Sequence, residues 1–142
     1  MSKIKVGDWV KCQVTEDYAE IHRIAKVKEK MIGGEKVNYC FNTQGLSFFE
    51  SELEKLPIIF KPFEINKHGQ VYAIRFCKSI GKTYQFLATN DDNKFSAVFG
   101  IWYGDGTMSL AEGSKPCKTI EEAKDWLELQ YAKMIAKARG LV

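Results

Sequence analysis

The C-terminal segment KTIEEAKDWLELQYAKMIAKARG (118–140) carries a helical period, and a lone amphipathic helix has to bury its apolar stripe against something else. Thr119 and Glu122 form a Thr-x-x-Glu capping box, which satisfies amides that the helix start leaves unpaired. Glu121, Glu122 and Asp125 lie near the positive end of the helix dipole, and Lys133, Lys137 and Arg139 near the negative end. Gly140 supplies the C′ stop. Ile120, Ala123, Leu127, Met134 and Ala138 recur at three- and four-residue steps, with Trp126 and Ile135 widening the stripe. The expectation is a helix over 119–139 lying on one face of a sheet.

The residues before it supply that sheet. GQVYAIRFCKS (69–79), KTYQFLATN (82–90) and KFSAVFGIWYG (94–104) alternate with period two and predict three antiparallel strands, joined around Gly81 and through an NDDN turn (90–93). TMSLAEG (107–113) predicts a short fourth strand, and FEINK (63–67) an extended lead-in. Alternation assigns Tyr72, Ile74 and Phe76, then Tyr84, Phe86 and Ala88, then Phe95, Ala97, Phe99, Ile101 and Tyr103 to the helix side. Arg75, Thr83, Gln85 and Trp102 are left on the outer face, flanked by Lys78 and Lys82. A bulge at Gly100 would reverse the third strand.

The N-terminal part reads as short strands: KVGDWVKCQVT (5–15), IHRIAKVKEK (21–30), VNYCFNTQ (37–44) and GLSFFES (45–51), with a hairpin at Gly33-Gly34. ELEKL (52–56) predicts one helical turn before Pro57. In LPIIFKPF (56–63), Pro57 and Pro62 bar a regular central strand, while Ile58, Ile59 and Phe60 are too apolar for a free linker. The fold expected is α+β: a small SH3-like β-barrel (1–56), then an antiparallel sheet with one C-terminal helix (57–142), packed as one compact unit.

Two resemblances attach to these patterns. VGDWV (6–10), the Gly-Gly hairpin and FFESELEKL (48–56) together resemble an SH3-like small barrel of the KOW and Tudor kinds, over residues 3–56. That resemblance implies a binding module for peptides, RNA, DNA or other domains. Trp9, Tyr18, Tyr39 and Phe41 would then contribute to an aromatic cage, unless they serve as core or turn residues. Over 70–130, three strands followed by KTIEEAKDWLE (118–128) resemble the arm-binding domains of phage-type integrases and their plant AP2-like relatives. The implication there is a sheet that enters the major groove of DNA with the helix behind it.

Composition narrows the function classes. Hydrophobic residues at 45% and charged residues at 27% describe a globular chain, not a disordered one. No apolar run approaches the roughly 18–20 residues that cross a bilayer, and the N-terminus has no signal-peptide stretch, so a cytoplasmic location is expected. Cys12, Cys40, Cys77 and Cys117 lie far apart without a Cys-x-x-Cys pair, as buried thiols in a reducing compartment would. His22 and His68 have no neighbours that make a triad or a metal site. Asp91-Asp92-Asn93 lacks a calcium-loop pattern, and Gly104-Asp105-Gly106 lacks a phosphate-loop lysine. No catalytic role, cofactor or metal is expected.

The net charge of +3 is unevenly spread. Residues 1–60 hold nine Lys/Arg and nine Asp/Glu, whereas across 61–82 Lys61, Lys67, Arg75, Lys78 and Lys82 stand against Glu64 alone. Such a bias draws phosphate backbones or acidic protein surfaces. The reading is a non-catalytic binding module of phage or mobile-element type. It acts on nucleic acid or a nucleoprotein complex through Arg75, Lys78, Lys82, Gln85 and Trp102, cations and an amide for groove contacts and a ring for stacking. The alternative is a small protein-directed inhibitor or adaptor, anti-CRISPR-like, that engages a host protein and ignores free nucleic acid. A domain that only self-assembles is the third reading.

Overall fold

The period-two segments form antiparallel strands and the 3.6-period segment one helix, giving an α+β protein. The computed structural model describes residues 4–12, 21–77, 82–91, 94–102 and 108–141, with the backbone alone at 74–77, 82, 90–91 and 108–110. The strands are β1 (Trp9–Cys12), β2 (Ile21–Ile32), β3 (Glu35–Asn42), β4 (Ser47–Phe49), β5 (Leu53–Lys55), β6 (Tyr72–Cys77), β7 (Lys82–Asp91), β8 (Lys94–Trp102) and β9 (Met108–Cys117). The helix, α1, spans Ile120–Ala138. Two units result, Met1–Ile59 with Ala132–Val142 and Phe60–Tyr131, so the division falls inside α1. The stretches 13–15, 78–81 and 103–107, which carry the ends of three expected strands and the turns at Gly81 and Gly104-Asp105-Gly106, lie outside the described residues, as do Tyr18, Asp92 and Asn93.

In the first unit the strand order is β4-β3-β2-β1-β5. The sheet is open rather than closed into the expected barrel, since β4 and β5 form its two edges. Gly33 and Gly34 turn β2 into β3 at φ values of +59° and +84°, a region that side chains with a Cβ rarely adopt. The helical turn expected over 52–56 falls instead at 50–52, as a 3-10 turn. Leu53–Lys55 pairs with β1, which sets Leu53 opposite Cys12 and into the core. That core gathers Ile4, Val10, Cys12, Ile24, Cys40, Phe48 and Leu53. Burial, with the Glu50 carboxylate, pushes the Cys40 thiol up to about 11, as expected of a thiol that serves as packing.

His22 belongs to the same architecture. Asn42, itself buried, donates from Nδ2 to His22 Nδ1 at 3.0 Å, and its Oδ1 accepts from the amides of Gln44 and Leu46 at 2.9 Å each. One amide side chain thereby shapes the β3–β4 turn and orients the imidazole, whose ring packs 5.0 Å from Phe48. At the end of α1, Gly140 has a φ of +69°, and the Gly140 and Leu141 amides donate to Lys137 and Ala136, the paired bonds of a Schellman stop. The tail is tied within its unit by Arg139 to the Pro57 carbonyl and by Lys11 to the Leu141 carbonyl.

The second unit is the sheet β6-β7-β8-β9 with the N-terminal part of α1. One rank across it reads Ala73, Phe86, Phe99, Gly113. The two central rings are nearly parallel at 5.9 Å, and Phe86 also meets Phe63 at 5.1 Å and Tyr131 edge-on at 5.5 Å. Trp126 reaches Phe99 at 5.7 Å, so the helix stripe and the rank form one aromatic core. The capping box forms with one change: the Glu122 amide donates to the Thr119 hydroxyl oxygen at 3.1 Å, but the Glu122 carboxylate accepts from the Lys118 amide, not that of Thr119. Glu128 was not anticipated in the stripe. It is 1% exposed, and its Oε1 accepts both the Phe63 amide at 3.0 Å and the Lys124 ammonium at 2.7 Å.

The β8 alternation follows expectation, with Ala97, Phe99 and Ile101 buried. The pairing of β8 with β9 does slip between Phe99 and Gly100, but the extra residue sits on β9, so β8 keeps its phase. The β9 strand runs well past the short strand expected, and the lead-in at 63–67 contributes only a bridge between Ile65 and Val71. The β6 assignment is reversed: Ala73 is buried beside Phe86, while Tyr72, opposite Leu87, is exposed. Four rings already crowd Phe86, and a small residue beside it leaves them room, so register outranks the greater hydrophobicity of Tyr72.

A Cβ at Gly113 would stand 2.5 Å from Phe99 Cε1, and Phe86 and Trp126 block that ring from swinging away. Gly113→Ala should therefore lower the unfolding free energy by about 1–3 kcal/mol in urea denaturation. In a Phe99→Leu background the same substitution should cost markedly less. Equal costs in both backgrounds would contradict this packing.

Candidate nucleic-acid interface

Of the five residues expected to share an outer face on the second sheet, Gln85 and Trp102 have described side chains. Gln85 is 3% exposed, in a rank with Ile74 and buried Gly100, so it offers no amide to a ligand. Arg75 lies in the neighbouring rank, opposite Tyr84. Trp102 is half-buried, and its Nε1 is shut off from solvent with no hydrogen-bond partner in the described structure. Lys78 lies outside the described residues, and Arg75 and Lys82 are described by backbone alone. The correction concerns Gln85: a polar residue on an alternating strand need not face solvent, and this one is buried.

A different arrangement of charge and rings stands on the first sheet. In β2 the pairing with β3 slips between Ile24 and Lys26, leaving Ala25 as an extra residue. Val27, Cys40 and Phe48 then form a rank on the core side, and the next rank, Lys28, Tyr39 and Phe49, lies on the other. Lys26 pairs with Phe41 and Lys30 with Val37 on that same side. Lys26, Lys28 and Lys30 are all exposed, Tyr39 and Phe41 half-exposed, and Phe49 37% exposed. The Lys28 ammonium lies 5.9 Å from the Phe41 ring centre and Lys30 5.2 Å from that of Tyr39, while Tyr39 and Phe49 meet at 4.7 Å.

The acidic partners lie elsewhere. Glu29 projects from the core-side parity of β2 and pairs with Lys36 at 3.6 Å. Glu50 is held by Asn38 at 2.7 Å and by the Ile4 amide. Glu35, at the hairpin tip, is the acid whose β3 rank shares the lysine side. Hydrogen bonding to Lys28 and the charge of that ammonium lower the Lys26 pKa from its ordinary 10.5, the signature of like charges held together. Such a ladder costs the free protein some repulsion and is relieved by a polyanion.

Other chemistry is sparse. Among the described residues no group of three or more His, Cys, Asp or Glu is placed to hold a metal, and no helix is long and apolar enough to cross a membrane. Of the proposed cage residues, Trp9 is buried beneath Arg23 at 5.5 Å, whereas Tyr39 and Phe41 sit in the lysine face. Comparison with protein-family models, curated proteins and solved structures returns no match. Sequence reasoning passed over the ladder because the N-terminal sixty residues sum to neutrality; the signal was local, in the spacing Lys26-x-Lys28-x-Lys30.

If Lys28 causes the depressed Lys26 pKa, Lys28→Gln should return Lys26 toward the ordinary lysine range. An NMR titration of the side-chain resonances checks this; an unmoved Lys26 would show that the two ammoniums are not neighbours.

Proposed function

We propose that the protein is a non-catalytic binding module that engages nucleic acid through the lysine and aromatic face of β2 and β3. The observation that carries this is the segregation of charge: Lys26, Lys28 and Lys30 project from one side, and Glu29 and Glu50 are occupied on the other. Each lysine that neutralises a phosphate releases condensed counterions, which is favourable and depends on salt. A second reading, the protein-directed inhibitor, draws on Met31 and Ile32 at the hairpin tip, which are 63% and 47% exposed.

Fluorescence anisotropy with labelled DNA and RNA at about 50 and 200 mM salt tests the proposal. The affinity should fall steeply with salt. Substituting Lys26, Lys28 and Lys30 by Gln together should reduce the salt slope by about 2, at roughly 0.7 per contact on single strands. Arg75→Ala/Lys82→Ala should leave the slope near wild type. Absence of binding at the lower salt, or a loss confined to the Arg75 and Lys82 variant, would overturn it and turn attention to protein partners.

A further inference from the structure

We infer that the ligand of this face is single-stranded nucleic acid, with unpaired bases stacked on Tyr39, Phe41 and Phe49 and phosphates held by Lys26, Lys28 and Lys30. The inference rests on the reading just given and narrows it. A duplex would use the lysines alone, because its bases are already stacked on one another and show a ring only their edges. Here rings and cations share two of the three lysine ranks: Lys28 stands beside Tyr39 and then Phe49, and Lys26 beside Phe41, while Lys30 pairs with Val37 and reaches the Tyr39 ring. Alternating cations and aromatic rings on a sheet surface serve bases that have been freed from pairing.

The spacing agrees. Alternate residues of a strand lie roughly 6.5–7 Å apart, close to the separation of consecutive phosphates in an extended strand, so three lysines address a stretch of two or three nucleotides. Tyr39 and Phe49 meet on one side at 4.7 Å, and the other neighbours of the ring faces are movable. Lys28 and Lys30 cover Phe41 and Tyr39 through exposed, flexible side chains, and an exposed cation–π contact is weaker than a base stack. A phosphate that draws the ammonium aside therefore exchanges a weaker contact for a stronger one. Phe49 lies on edge strand β4, which gives a base access from the side of the sheet.

The test compares three probes of equal length on the wild-type protein: a thymidine single strand, an abasic single strand of the same charge, and a duplex. The thymidine strand should bind about 5- to 150-fold more tightly than the abasic one, the range of one stacked base, and more tightly than the duplex. Tyr39→Leu and Phe49→Leu should shrink that gap while leaving the salt slope intact. Equal binding of thymidine and abasic strands with the lysine dependence preserved overturns this inference and leaves the phosphate-binding reading standing. Tighter binding of the duplex does the same, and no binding of any probe at low salt overturns both. The probe comparison uses unaltered protein, so it decides even where a ring variant folds poorly.

Discussion

One extra residue in β2 determines both what the first sheet buries and what it shows. Ile24 points into the core with Val10 and Cys12, and simple alternation from Ile24 would send Lys26, Lys28 and Lys30 the same way, toward Cys40 and Phe48. The bulge at Ala25 shifts the phase, so that Val27 turns inward and the lysines outward. Without it, unpaired ammonium groups would enter an apolar core, at a desolvation cost far beyond that of a bulge. The local backbone is held on both sides: Ile24 accepts from the Gly7 amide at 2.7 Å and donates to the Asp8 carbonyl at 2.9 Å, and Arg23 accepts from Thr43.

The second unit is organised around a buried acid that no apolar pattern announces. Glu128 accepts the Phe63 amide, and Phe63 brings its ring against Phe86 and Tyr131. Lys124, one turn earlier and partly exposed, supplies the compensating charge. The carboxylate is thus paired and hydrogen-bonded, the condition under which a buried charge is tolerated. Its place is structural: it fixes the extended segment before β6 to the helix, and that segment completes the aromatic core.

Legibility in the sequence followed how local each cause was. The capped helix, the Gly33-Gly34 hairpin and the faces of β8 depend on neighbouring residues, and they are found where the pattern put them. The phase of β6 depends on how many rings must share space around Phe86, which no single strand reveals. Gln85 and Glu128 are both polar and both buried, and the Phe63 amide that Glu128 accepts lies far away in the chain. The lysine ladder was visible as a spacing but was averaged away when charge was summed over the whole N-terminal half. The bulge at Ala25 adds a further difficulty, since one residue inverts every later inference about the faces of its strand.

Mapping the ligand directly tests the account at its centre. The 15N-labelled protein titrated with a short thymidine oligonucleotide would report which amides shift. The account predicts changes concentrated at 26–30, 37–41 and Ser47–Phe49, with β6, β7 and β8 quiet. Changes concentrated on β6 to β8, or none at any site, would contradict it.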